Sequence, residues 1–160
     1  PFTSIDICAH EIGHAICQYS ANLIYFRESG AINESLSDIW GACVKNYAAP
    51  EKNHWLNGDE VSLKNDFIRS FINPKAKGQP DTYKGENWYN GDFDNGGVHT
   101  NSGVMNYWFY LLSTGKNGTN DNGFNYQVTG IGIEKASQIV YRALTEYLYP
   151  TAQMIDARYT

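Results

Sequence analysis

The sequence predicts a mainly α-helical chain with long Asn/Gly-rich loops. Three observations predict it. Apolar residues recur at three- and four-residue steps in five separate segments. Gly30, Pro50, Pro74, Gly115 and Pro150 fall where those segments begin or end. Strand signals are weak, at most an extended segment at Leu23–Tyr25.

The first helix runs from Thr3 to about Ala21. Thr3 or Ser4 caps it and Asp6 lies in its first turn. Ile5, Cys8, Ala9, Ile12, Ile16 and Tyr19 form its apolar stripe. A second helix begins near Ala31, after Gly30, and reaches Tyr47 ahead of Pro50. A short third covers Leu63–Phe71 and stops before Pro74. The fourth runs from Asn101 to Ser113, with Gly115 as its C-terminal stop. The fifth, Ile133–Leu148, ends at Pro150. From Thr151 onward the chain reads as the cap of a sixth. Between them lie Pro50–Ser62, Asn73–Gly97 and Gly115–Gly130, polar stretches rich in Asn, Gly and Asp. Unstructured loops of such length are usually functional or ligand-ordered.

Composition sets limits. The chain has 160 residues, 12 Lys+Arg against 17 Asp+Glu, and a net charge of −5. That length suits one domain, and chains of about 150 residues bury roughly 68–70% of their unfolded surface. Apolar residues make up 42% and charged residues 18%, which excludes the disordered class. An acidic chain lacks the basic footprint of a non-specific nucleic-acid binder. No apolar run approaches the ~20 residues of a membrane span. The longest, Val104 to Leu112, is interrupted by Asn106. No signal peptide is visible, and an opening at Pro1 so close to the main motif reads as a piece of a longer protein. Cys8 and Cys17 fall on opposite faces of one helix and cannot bridge. All three cysteines, Cys43 included, read as buried thiols, and the redox compartment stays open.

The chemistry begins at His10-Glu11-Ile12-Gly13-His14. Residues at i and i+4 share a helix face about 6 Å apart along the axis, so both imidazoles reach one ion. Glu11 is turned by roughly 100°, off the metal but beside it, as suits a general base on metal-bound water. Glu34 and Asp38 form a second i, i+4 pair on the next helix. Two His and one Glu with an open position is the layout of a catalytic zinc site. Asp38 suits the second ring N–H of a ligand histidine. Glu34 and Asp38 also read as a solvated helix face.

With these residues in place, the sequence resembles the thermolysin family of zinc metalloendopeptidases. Ser4–Gly41 resembles its zinc helix and third-ligand helix. Asp94-Asn95-Gly96-Gly97-Val98-His99-Thr100-Asn101-Ser102-Gly103 resembles its D-N-G-G-V-H-x-N-S-G segment. Gly130–Pro150, with Tyr141-Arg142-Ala143-Leu144, resembles its late core helix. The likeness spans nearly the whole chain.

The resemblance implies that residues 1–160 are a catalytic domain truncated at both ends, without the family's N-terminal β-rich domain and last helices. It implies zinc on His10, His14 and Glu34, with Glu11 as general base. It makes Tyr25 and His99 oxyanion donors, Asp94 the orienter of His99, and Arg69 a ligand for a substrate carbonyl. Asn33 and Asp38 stand behind the ligand histidines. Ile7, Val61 and Ile68 line a pocket for a bulky apolar side chain, giving cleavage on its N-terminal side. The partners are protein or peptide substrates and the N-terminal domain of the same chain, with no nucleic acid and no membrane. Secretion is implied by the family alone. On residue type alone, Tyr25 reads as a half-buried aromatic, His99 as a helix cap, Arg69 as a helix charge, and the pocket trio as core.

Two departures stand out. Family members often carry a double calcium site, and here Lys45, His54 and Leu56 occupy positions where acids would serve as ligands. Calcium wants 6–8 oxygens, so the site reads as degraded, with the Lys45 ammonium pairing Asp6 or Asp59 instead. The absence of a cleft wall implies weak or no activity in the isolated piece. A related zinc exopeptidase would need an acidic anchor for the substrate N-terminus, and no G-x-M-E-N-type segment occurs. A non-catalytic zinc-holding module is disfavoured because Glu11, Tyr25 and His99 are all present. Asn117-Gly118-Thr119 and Asn33-Glu34-Ser35 match the N-glycosylation pattern, the second inside the expected site helix.

Overall fold

The computed structural model describes residues 3–62 and 66–159. Its frame is α1 (Ile5–Tyr19) laid against α2 (Arg27–Ala48). α2 is the central helix, and every residue from Ser29 to Ile39 is buried. A two-stranded pair follows, β1 (Leu56–Asn57) with β2 (Arg69–Ser70). Next come α3 (Phe93–Asn101), α4 (Gly103–Thr114) and a hairpin of β3 (Lys116–Thr119) and β4 (Asn125–Val128). α5 (Ile133–Arg142) continues into a π-helical turn, Ala143–Tyr147, and α6 (Met154–Arg158) ends the described chain. The core joins Leu36, Ile39 and Ile32 of α2 to Phe71, Phe109, Val140 and Leu144.

α1 is a helix, but only Ala9 and Ile16 of its periodic stripe turn inward, Ile16 packing on this core. Ile5, Cys8, Ile12 and Tyr19 are exposed, whereas Asp6, Ala9, His10, Gly13 and Cys17 are buried against α2. Gly13 makes the contact close: a Cβ there would lie 2.8 Å from Ser37 Cα. Cys8 is thus exposed, contrary to the buried-thiol reading, while Cys17 is buried and Cys43 half-buried.

α2 starts four residues before the expected Ala31. Gly30 is not a boundary. It is a packing site, where an added Cβ would lie 2.4 Å from Val98 Cγ1 and 3.0 Å from the Tyr25 carbonyl carbon. Ser29 Oγ anchors the first turn by donating to Ile24 O at 2.7 Å. Leu23–Tyr25 joins no sheet.

The helix expected over Leu63–Phe71 is corrected. Leu63, with residues 64 and 65, lies outside the described residues, and Arg69–Ser70 is a strand. Backbone pairing to Leu56–Asn57 and the pull of a buried carboxylate on Arg69 override helix propensity. The stretch Gly115–Gly130 is likewise a hairpin, turning through Asn122-Gly123, with Gly123 at φ 81°. Lys75 ties its tip down, with Asp121 at 2.5 Å, Glu86 at 3.1 Å and Asp81 at 3.5 Å.

Lys45 is completely buried. Its ammonium contacts Asp59, Asp6 Oδ2 at 3.4 Å and the Leu56 carbonyl at 3.3 Å. Glu60 Oε2 lies 4.0 Å away. The segment after β1 is thereby pinned to both long helices. His54 packs on Trp55, with ring centroids 4.6 Å apart.

Candidate metal centre

One turn of α1 and the middle of α2 build the site. His10 and His14 project from successive turns of α1, and Gly13 lets Glu34 of α2 approach them. His10 Nε2 lies 3.0 Å from His14 Nε2 and 3.6 Å from Glu34 Oε2, and His14 Nε2 lies 3.3 Å from Glu34 Oε1. Ligand atoms of the three residues all lie within 4.8 Å of one another.

This donor set fits a tetrahedral zinc ion. Ligands held 2.0–2.1 Å from such an ion sit about 3.3 Å apart, which is the spacing of these atoms. Glu34 is fully buried and its Oε2 has no hydrogen-bond partner. A buried carboxylate oxygen without a donor is costly unless a cation completes it.

Each histidine turns its other nitrogen to a polar side chain. His10 Nδ1 lies 2.8 Å from Asp38 Oδ1. His14 Nδ1 lies 2.7 Å from Asn33 Oδ1 and 3.1 Å from Ser37 Oγ. Burial works against charge on His10, but the Asp38 carboxylate outweighs it and raises the imidazole pKa. Burial alone would lift Asp38, yet Arg69 and His10 hold it far below the ordinary carboxylate value. Arg69 reaches it from β2 through Nε at 2.7 Å and Nη2 at 2.6 Å.

Glu11 points outward. It is exposed and makes no hydrogen bond or ion pair to any described residue. Across the cluster, the Tyr25 hydroxyl donates to Glu34 Oε1 and lies 3.3 Å from His99 Nε2. Burial, and then the Glu34 carboxylate, push the Tyr25 pKa up, so it stays a protonated donor. His99 Nδ1 lies 2.6 Å from Asp94 Oδ1, and His99 N donates to Asp94 Oδ2 at 2.9 Å. A left-handed turn sets that geometry. Asp94, Asn95, Gly96 and Gly97 have φ of 55°, 50°, 84° and 81°. Gly adopts such angles freely and Asp and Asn tolerate them. A cavity of about 400 Å³ opens beside the cluster, lined by His14, Gln18, Asn22, Leu23, Tyr25 and Asn33.

The structure therefore brings together His10, His14, Glu34, Asn33, Asp38, Tyr25, Asp94, His99 and Arg69, while Glu11 is exposed on α1. The expected apolar trio is looser. Ile7 and Val61 are half-buried, and Ile68 is 42% exposed, resting on Gly58. Sequence reasoning missed Asn57 and Asn106, whose amides both donate to Asp38, the latter at 2.8 Å. Isolated amides carry no spacing signal. Gly13 did carry one, since a glycine inside a helix marks a close approach.

Residues 21–160 match the family described as thermolysin metallopeptidase, alpha-helical domain. Thermolysin of Alicyclobacillus acidocaldarius subsp. acidocaldarius is 44% identical over 164 residues, covering 99% of this chain and 28% of that protein. Bacillolysin of Brevibacillus brevis is 44% identical over 149 residues, covering 91% of this chain and 26% of that protein. Among solved structures, the precursor of protealysin, a metalloproteinase from Serratia proteamaculans, superposes with a TM-score of 0.74. It is 31% identical, over 95% of this chain and 48% of that one. The chain thus spans about 28% of the length of the first of these relatives.

Proposed function

Because this chain belongs to the thermolysin metallopeptidase family, we propose that it carries the catalytic centre of a zinc-dependent endopeptidase. The observation that carries the reading is the compact His10, His14, Glu34 donor set, with an exposed Glu11 following His10 on α1.

His10, His14 and Glu34 would hold the ion. Zinc bound there supplies a Lewis acid that brings the pKa of water to about 7 and polarises a carbonyl. Glu11 takes the proton of the attacking water and returns it to the leaving amine. Tyr25 and His99 donate to the oxygen on which negative charge develops. The Nε2 edge of His99 is the one that faces the site, since Nδ1 is engaged by Asp94. Arg69 spends Nε and Nη2 on Asp38, so its remaining amino group is the part available to a substrate carbonyl. Ile7, Val61 and Ile68 would receive a bulky apolar side chain just past the cleaved bond.

Residues 1–160 act in this reading as the helical catalytic part of a longer, secreted chain. A second, β-rich domain completes the cleft and covers the exposed stripe of α1, and the isolated piece is weakly active or inactive. No helix among the described residues is long and apolar enough to cross a membrane. The buried Lys45 ammonium takes the place of calcium between Asp6 and Asp59.

The test uses the full-length protein and a quenched peptide with Leu after the scissile bond. Cleavage should stop on zinc chelation and return on zinc addition. Glu11→Gln should cost about 10²- to 10⁴-fold in kcat with bound zinc unchanged. Cleavage that persists without metal, or in Glu11→Gln, refutes the reading.

A further inference from the structure

Asp38 is the hub of the buried polar network. Its Oδ1 accepts from Asn57 Nδ2 and Arg69 Nη2 and lies 2.8 Å from His10 Nδ1. Its Oδ2 accepts from Arg69 Nε at 2.7 Å and from Asn106 Nδ2 at 2.8 Å. A carboxylate offers about four lone-pair sites, so every direction around Asp38 is claimed. The orientation of the carboxylate is therefore decided by its donors.

Asn106 is the donor with an orientation of its own to give. It lies on α4, and like Asp38 it is 0% exposed. Its Oδ1 accepts from Ser35 Oγ at 2.7 Å. Ser35 follows Glu34 on α2 and is also 0% exposed. The Asp38 carboxylate only accepts, so the NH2 end of the amide faces it, and the Ser35 hydroxyl anchors the oxygen end. A buried amide is costly unless both ends are paired, and here both are.

We propose that Asn106 is a positioning residue for the metal centre: locked by Ser35, it holds Asp38 so that one carboxylate aligns both the His10 imidazole and the Arg69 guanidinium. The inference rests on the zinc reading of the site. It assigns α4 a part in the centre although α4 supplies no metal ligand. Removing an outer partner of a metal-bound histidine typically costs about 10- to 100-fold in metal affinity.

The experiment measures zinc affinity of the full-length protein by chelator competition, with circular dichroism reporting the fold. Asn106→Leu keeps side-chain size and removes both hydrogen bonds. Its zinc affinity should fall about 10- to 100-fold in folded protein. Ser35→Ala should give a smaller fall, and the double variant should be no worse than Asn106→Leu, because Ser35 acts through Asn106. A purely structural role would lower thermal stability while leaving the zinc affinity of folded protein unchanged, and that result overturns the proposal. Should Asn106→Leu not fold, Ser35→Ala and Asn106→Ser decide. A weaker zinc affinity in either supports the proposal, and unchanged affinity in both overturns it. Wild-type protein that binds no zinc overturns the metal reading and this inference together. Wild-type binding matched by Asn106→Leu overturns the inference alone.

Discussion

Tyr25, just before α2, and His99, in α3, are far apart in sequence, yet both meet Glu34 Oε1, the phenol as a donor and the imidazole at 3.3 Å. Two potential donors converging on one edge of a metal-ligand candidate is what an oxyanion site needs. Removing one such donor typically costs about 10²- to 10³-fold in kcat. Tyr25→Phe is therefore expected to lose that much in kcat while KM stays close to wild type, measured on the quenched peptide. A raised KM with kcat intact would make Tyr25 a binding group only. At this scale the histidines and Glu34 were legible because helix geometry dictates their spacing. Tyr25 and His99 were legible only through the resemblance, since a lone Tyr or His has other common uses. Asn57 and Asn106 were not legible, because their roles depend on three-dimensional convergence at Asp38.

Between elements, the α1–α2 contact decides whether the ligands meet at all. Gly13 has Ser37 Cα 2.8 Å and Trp40 Cδ1 3.1 Å from where a Cβ would stand. Gly13→Ala must push the helices apart or strain them, at a cost of about 1–3 kcal/mol. Lower thermal stability together with weaker zinc affinity is the expected pair of results. Unchanged zinc affinity would mean that α1 and α2 adjust without moving the ligands. A second contact carries a pH signature. Burial pushes Asp6 upward, but Ser4, the Gly58 amide and Lys45 together hold its pKa below the usual value. A depressed folded-state pKa gives stability that is complete above the unfolded value, about 3.9, and is lost as pH falls through the folded one. Wild type and Asp6→Asn should therefore differ in stability at neutral pH and converge below about pH 4 in acid-unfolding curves. A gap that persists into strong acid would put the effect outside Asp6 ionisation. Helix existence was legible from periodicity, whereas boundaries were not. Gly30 and the Asn122-Gly123 hairpin show why: packing and pairing partners distant in sequence decide such places.

At the scale of the whole molecule, α1 poses the remaining problem. Ile5, Cys8, Ile12, Ala15 and Tyr19 alternate by three and four residues along its outer face, all exposed. Ile12 is 62% and Tyr19 87% exposed. Of the stripe that reveals the helix in the sequence, Ala9 and Ile16 therefore turn inward, while Ile5, Cys8, Ile12 and Tyr19 face away from the core of this chain. That outer face runs beside Glu11, where a second cleft wall would stand, and the chain spans only 28% of its thermolysin relative. Cys8 turns this into a measurement. Burial pushes the Cys17 and Cys43 thiols up to about 12, so near neutral pH neither forms much thiolate. Cys8 is the exposed thiol, and a maleimide should modify it first in the 160-residue chain. In the full-length protein a domain seated on the stripe should slow that reaction by at least about tenfold, since access limits thiol chemistry. Mild denaturant that releases the domain should restore it. Equal Cys8 labelling in the two forms would leave the stripe uncovered and put the second wall of the cleft elsewhere.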